Sequence, residues 1–319
     1  MAQVDVMYQY SLSSFLLVFK RALKRALPDI VTEKRLNNIV DTLTKTIYEY
    51  GCAGIFEKHK LLFSFHIATK LMLDQGLLVQ KELDFFLKGS MTLDEDIDPC
   101  PVKWLSETNW KDFVFLGTKF SDDFEPILMD FKDNLSKWQD WYESETPETD
   151  VMMEQCSNFQ RLMLIRCFRV DRIVRSMNLY ISEIMTDFYI TPPVVNFEKM
   201  CDENEPEVPI IIILSPGSDP TEQLMKLAER RDKLDGFKYI SLGSGQEPKA
   251  LSMLSQSVQT GDWLMLQNGH LLVHFMKKLD KVMENISNVH KSFRLWITTE
   301  PTSKFPIGDE ILFSKVYFV

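Results

Sequence analysis

Glycine and proline are scarce in this sequence, 12 and 14 of 319 residues, which excludes collagen-like, low-complexity and linker-dominated chains. Cysteine is scarcer still. The five thiols (Cys52, Cys100, Cys156, Cys167 and Cys201) are odd in number and scattered, with no CxxC pair and no histidine near them at metal-ligand spacing. That pattern argues against a disulfide framework or a structural zinc site and for a reducing compartment. A long hydrophobic run is missing too: the longest aliphatic stretch, Ile210 to Leu214, is far short of the ~18 residues a membrane span requires. Basic charge is not in excess. Lys+Arg 36 against Asp+Glu 46 leave a net charge of −10, the opposite of the footprint that neutralises nucleic-acid phosphates. No GxSxG nucleophile elbow occurs, and Cys167 is expected to be buried in a helix rather than reactive.

What is present is enough apolar residue, 45% with 12% aromatic, to build more than one core at roughly 150 residues per domain. Leu12, Phe15, Leu16, Phe19, Leu23 and Leu27 fall at helical spacing, with Ser11 as a possible N-cap and Pro28 as a stop. Asp5 precedes this stretch and Lys20, Arg21, Lys24 and Arg25 follow it, so it reads as an amphipathic helix and not as a secretion signal. A second helix closes at Gly51 and a third, about Lys58 to Leu73, at Gly76. Acidic, loop-like segments at Ser90 to Pro101 and Glu143 to Asp150 mark connections. Trp104, Trp110, Phe113, Trp138 and Trp141 supply packing anchors between them. The segment after Phe159 carries Arg161, Arg166, Arg169, Arg172 and Arg175 at spacings of three to five, a stripe that predicts ion pairing or an interface.

After Pro206 the pattern changes to alternating strand and helix. Strands are expected at Pro209 to Leu214, Tyr239 to Leu242, Trp263 to Gln267 and Phe293 to Thr298, and helices at about Thr221 to Arg231, Pro248 to Gln259 and Leu271 to Ser287. Such alternation predicts βαβ units in a mainly parallel sheet. The first strand is continuously apolar, as a strand covered by helices on both faces should be.

Ile210 to Thr221 reads IIIILSPGSDPT, a buried strand, a turn and a helix start, which is the context of a phosphate-binding loop. The residues that bind phosphate are missing. In the register GxxxxGK[ST], Leu214 and Asp219 occupy the glycine positions and Pro220 the lysine position, within the run Ser215, Pro216, Gly217, Ser218, Asp219, Pro220, Thr221. Pro220 offers neither an N–H nor an ammonium, and the Asp219 carboxylate repels phosphate. After the third strand stand Gln267 and Asn268, where a working site carries a metal-linked Asp and a Glu that orients water. Neutral amides cannot replace that charge. Two further constellations read as structural. His270 and His274 sit at i, i+4 on the expected helix without a third ligand, and Gly243-Ser244-Gly245 lacks the third glycine of a dinucleotide loop.

The ordered blocks SPGSDPT (Ser215 to Thr221), GSGQEP (Gly243 to Pro248), GDWLMLQNGHL (Gly261 to Leu271) and FRLWITTEPTSKFPIG (Phe293 to Gly308) closely resemble the sixth AAA+ module of dynein heavy chains. MYQYSLSSFLLVF, GIFEKHKLLFSF, FFLKGS and LIRCFRVDR look like the stretch leading into it from the fifth module, so the resemblance covers nearly the whole chain. The wording is most similar to axonemal heavy chains of the inner-arm type. Gly269 and Ser244 depart from the family's LQNCHL and GQGQE, and Asp309 to Val319 does not continue with the family's usual strand and lid.

The resemblance implies a mixed α and α/β fold: an N-terminal helical bundle, then a P-loop-type (AAA+) parallel-sheet core that is C-terminally truncated. Expected segments are 1–92, lid and connector of the fifth module; 93–207, helical lead-in; and 208–319, the degenerate core. It implies a non-catalytic part of a motor ring that drives minus-end-directed microtubule movement in cilia and flagella, with ATP and Mg²⁺ held in other modules. Implied partners are neighbouring AAA+ modules, intermediate and light chains and microtubules. Implied locations are the cytoplasm, the cytoskeleton and the ciliary or flagellar axoneme; neither nucleic acid nor membrane is implied. The alternatives are a P-loop ATP-binding enzyme with a non-standard loop and a free scaffold for dynein assembly, and the missing lysine and carboxylates argue against the first.

Overall fold

The computed structural model describes residues 3–5, 8, 12–90, 97–150, 156–194, 196–302 and 315–318. Ser11, the expected cap, lies outside them. The chain forms two compact units, one of Met1–Lys60 with Pro192–Val319 and one of Leu61–Thr191. These cut the chain elsewhere than the segment boundaries expected at 92 and 207, because the first two helices associate with the sheet-containing part. No helix among the described residues is long and apolar enough to cross a membrane.

In the first unit, α1 (Leu12–Arg25) and α2 (Thr32–Ala53) form a hairpin. Lys199 of α10 (Phe197–Asp202) pairs with Glu49, and Arg21 and Arg25 pair with Glu203, the residue that follows α10, so α2 is tied to that helix and α1 to its end. The sheet follows: β1 (Ile210–Ile213), α11 (Thr221–Arg230), β2 (Phe237–Ser241), α12 (Glu247–Thr260), β3 (Trp263–Gln267), α13 (Val273–Asn285), β4 (Arg294–Thr299) and β5 (Lys315–Phe318). All pairings are parallel, in the order β2-β3-β4-β1-β5. Every residue of β1 is buried, as its uninterrupted isoleucines require. Ile210, Ile212, Leu224, Leu227, Met265 and Trp296 share one core cluster.

Asp309 to Val319 was expected not to continue with the family's usual strand, yet Lys315–Phe318 within it forms the strand β5. It pairs with β1 from Ile210↔Lys315 to Ile213↔Phe318, so β1 is an interior strand. Phe318 packs on Phe56 at 4.3 Å and on Tyr8 at 5.7 Å, and α2 lies against β5. Tyr8 is itself fixed, its hydroxyl lying 2.7 Å from His59 Nδ1 and accepting from Phe56 N. Burial pushes the Tyr8 hydroxyl up to about 12. Pairing that joins the chain's end to β1 has no local signature, which is why it was not read from the sequence.

The second unit is helical. It holds most of α3 (Glu57–Asp74), then α4 (Gln80–Lys88), α5 (Glu107–Lys119), α6 (Ser121–Asp133), α7 (Leu135–Glu143), α8 (Asn158–Phe168) and α9 (Ile173–Ile184). Its aromatic anchors converge: Phe113 lies 4.8 Å from Phe168, and Trp138 and Trp141 each lie 5.4 Å from Phe168. Each buried indole N–H in this cluster has a partner, Trp110 on Asp98 O, Trp138 on Asp130 and Trp141 on Pro147 O, as burial demands. The arginine stripe resolves largely into ion pairs, Arg166 with Asp112, Arg169 with Asp171 and Arg172 with Glu148. Burial works against the charge on Glu148, but the hydrogen bonds from Arg172 outweigh it and hold the carboxyl below its usual range.

Candidate functional site

The β1 ladder is prolonged by one bond, Leu214 N donating to Thr299 O at 2.9 Å. The chain then reverses over Ser215-Pro216-Gly217-Ser218, where Ser218 N donates to Ser215 O at 3.0 Å and Gly217 has φ +85°. Pro at the second and Gly at the third position are what a type II turn requires. Pro220 has φ −82° and ψ 0°, already helical, so the residue that caps α11 is Asp219. Its Oδ1 accepts from Thr221 N at 2.9 Å and from the Thr221 hydroxyl at 2.5 Å. These bonds, the hydroxyl's first, hold the Asp219 carboxyl below the usual carboxylate range.

From β3, Gln267 reaches the same hydroxyl: its Nε2 donates to Thr221 Oγ1 at 2.9 Å. Asn268 has φ 60° and ψ 46°, a left-handed conformation that Asn tolerates better than most residues, and its Nδ2 donates to Ser241 Oγ at 2.9 Å. The structure thus brings Thr221, Asp219 and Gln267 into one hydrogen-bonded cluster and directs Asn268 to β2. Pro216 and Gly217 shape the turn, whereas Ser215 and Ser218 close it through their backbones.

A magnesium nucleotide does not fit this donor set. Two prolines remove N–H groups from the loop, the Ser218 and Thr221 amides bond to the loop itself, and the one charged side chain between Ser215 and Thr221 is the Asp219 carboxylate. A phosphate oxygen would have to displace that carboxylate, and a cation would face the amide hydrogens of Gln267.

His270 and His274 do not share a helix, contrary to the expected i, i+4 placement. His270 lies on a 3-10 turn, Gly269–Leu272, and its Nδ1 accepts from Glu300 N at 3.1 Å, while His274 is exposed on α13. The helix begins two residues late because Leu272, with φ −129° and ψ 56°, leaves the helical region and separates α13 from the 3-10 turn. Gly243-Ser244-Gly245 forms a plain strand-to-helix turn, with Gln246 N donating to Gly243 O at 3.1 Å. Cys167 is buried, and that burial raises its thiol well above the usual range, which disfavours the thiolate.

The capping role of Asp219 was missed in the sequence although its signal is present: Asp219-Pro220-Thr221-Glu222 places an N-cap residue before a proline, with Glu three positions on. Glu222 pairs with Lys226 at 2.6 Å instead of closing a capping box.

Residues 205–316 match the family model described as "Dynein heavy chain region D6 P-loop domain". Over 97% of its length the chain is 47% identical to "Dynein axonemal heavy chain 10" of Homo sapiens. Over the same share it is 37% identical to "Dynein-1-alpha heavy chain, flagellar inner arm I1 complex" of Chlamydomonas reinhardtii and 34% identical to "Dynein axonemal heavy chain 2" of Mus musculus. It spans 7% of the length of each of these relatives.

Proposed function

Since this chain is a segment of the dynein heavy-chain family and carries its D6 P-loop region, we propose that it is a non-catalytic, force-bearing part of an axonemal dynein motor. In this reading ATP is bound and hydrolysed by other modules of the parent heavy chain, the segment contacts neighbouring AAA+ modules, and the assembled motor moves along ciliary or flagellar microtubules with its intermediate and light chains. The parent protein works in the cytoskeleton, at the axoneme. The segment itself carries no ATPase chemistry and takes no nucleotide.

The observation that carries this reading is the paired loss at the loop and at the end of β3. Asp219 and Pro220 stand where phosphate needs glycine and lysine, and Gln267 and Asn268 where metal and water need carboxylates. Either loss alone impairs a phosphoryl-transfer site; together they remove both its electrostatic halves. A module that does not cycle with nucleotide can transmit strain between neighbours that do. Titration calorimetry with ATP and ADP in the presence of Mg²⁺ tests the reading: no binding heat is expected. Micromolar affinity abolished by Gly217 or Thr221 substitution would overturn it.

A further inference from the structure

We infer that Asp219 and Gln267 form an internal latch that holds the loop after β1 in one conformation, the carboxylate taking the position a phosphate would occupy and the amide the position of a metal ion. This inference rests on the function proposed above and gives its physical cause. The Thr221 hydroxyl has one hydrogen, and its neighbours assign it: Gln267 Nε2 can only donate, at 2.9 Å, so the hydroxyl donates onward to Asp219 Oδ1 at 2.5 Å. Met265 Sδ, at 4.0 Å, is a far weaker acceptor than a carboxylate. Amide, hydroxyl and carboxylate therefore form a directed chain that ends on a charge, an arrangement in which each bond strengthens the next.

The same chain answers the two requirements that ligands meet in a working phosphate loop. The first amides of a helix attract an anion, and here Asp219 Oδ1 accepts from Thr221 N at 2.9 Å. A hydroxyl at the start of that helix is joined through Mg²⁺ to a carboxylate on the neighbouring strand, and here Gln267 is joined to it directly. The connection also spreads across the sheet, because Asn268 bonds to Ser241 on β2 and Leu214 to Thr299 on β4. The start of α11 and the carboxyl ends of four strands are thus cross-linked by the chain's own atoms, and no step of a nucleotide cycle is needed to make or break the link.

Thermal and urea unfolding of the full 319-residue chain tests the latch with Asp219→Ala, Asp219→Asn, Gln267→Leu and the Asp219→Ala/Gln267→Leu double variant. Asp219→Ala is expected to lower the folded-to-unfolded ratio about twofold to thirtyfold, the span of a lost N-cap. Asn still accepts from the Thr221 amide, so Asp219→Asn should recover at least half of that loss. Because both side chains act through one hydroxyl, the double variant should lose less than the product of the single losses. Strictly multiplicative losses, or an unchanged Asp219→Ala, would overturn the latch. Hydrogen exchange at the Thr221 amide of the unaltered chain gives a readout that needs no variant: protection is expected, and exchange at the rate of an open loop overturns the inference. Binding of Mg²⁺-ATP to the unaltered chain would overturn the proposed function, whereas multiplicative losses without such binding would remove only the latch.

Discussion

Asp219 is exposed, yet its carboxyl is held below the usual range by the Thr221 hydroxyl and amide. A carboxyl whose folded value is depressed adds stability above its unfolded value, near pH ~3.9, and loses it as pH falls through the folded value. Stability followed from pH 6 to pH 2 should therefore fall less steeply in Asp219→Asn than in the unaltered chain; parallel curves would show that the cap does not depend on charge. Pro220→Lys alone should not produce ATPase activity, since Gln267 and Asn268 still lack the charge to place Mg²⁺ and water. Turnover in a phosphate-release assay of that single variant would show that the catalytic positions had been misassigned. Glycines test local sterics separately. Gly217 and Gly261 both have positive φ, but an added Cβ meets nothing within 4 Å at Gly217, whereas at Gly261 it would lie 2.2 Å from His290 Nδ1. Gly217→Ala should cost ~1 kcal/mol from backbone strain, and Gly261→Ala clearly more; urea midpoints rank the two directly.

At the scale of elements, the joint between α4, α5 and α8 combines aromatic contacts, Phe85 on Phe115 and Phe86 on Phe159, with one buried ion pair. Asp112 accepts from Ser90 N and from Arg166 Nη1, while Arg166 Nε donates to Phe86 O and the guanidinium stacks over Phe85. Both side chains are largely buried, at 12% and 19% exposure, so removing one leaves the other charged and uncompensated. Asp112→Ala should cost ~3 kcal/mol or more, and a paired replacement by apolar residues of similar volume considerably less. Equal losses for the single and paired variants, measured by urea unfolding, would contradict this. The strand β5 makes a second test. Phe318, wedged against Phe56 and Tyr8, should cost ~3–5 kcal/mol when cut to alanine, and a near-neutral result would mean that β5 is not part of the stable sheet.

For the whole molecule, a net charge of −10 favours solubility, but the α1–α2 hairpin opposes it locally. Leu27, Ile30, Val31, Leu36 and Val40 are all exposed there, and exposed apolar side chains close together along the chain favour association. The isolated chain is expected to self-associate with rising concentration in size-exclusion chromatography with light scattering. Leu27→Lys with Ile30→Lys should shift it toward monomer. A monomer at every concentration in the unaltered chain would show that the hairpin's apolar residues do not drive association.

Period and composition were sufficient for the first helices, for the strand-and-helix alternation and for four of the five strands, because each of these is written in residues adjacent along the chain. Isoleucines from 210 to 213 declare a doubly covered strand, and Pro220 at a lysine position declares a missing charge, whatever the rest of the molecule does. The partnership of Lys315–Phe318 with β1, the ion pair of Asp112 with Arg166 and the bond from Gln267 to Thr221 join residues separated by 46 or more positions. Such contacts form because the fold brings their groups within hydrogen-bonding distance, and no local periodicity records that approach. The residues that stand at the phosphate-loop and β3 positions were thus legible in the sequence, but only the tertiary structure decided that two of them, Asp219 and Gln267, bond to the same hydroxyl and so close the loop on itself.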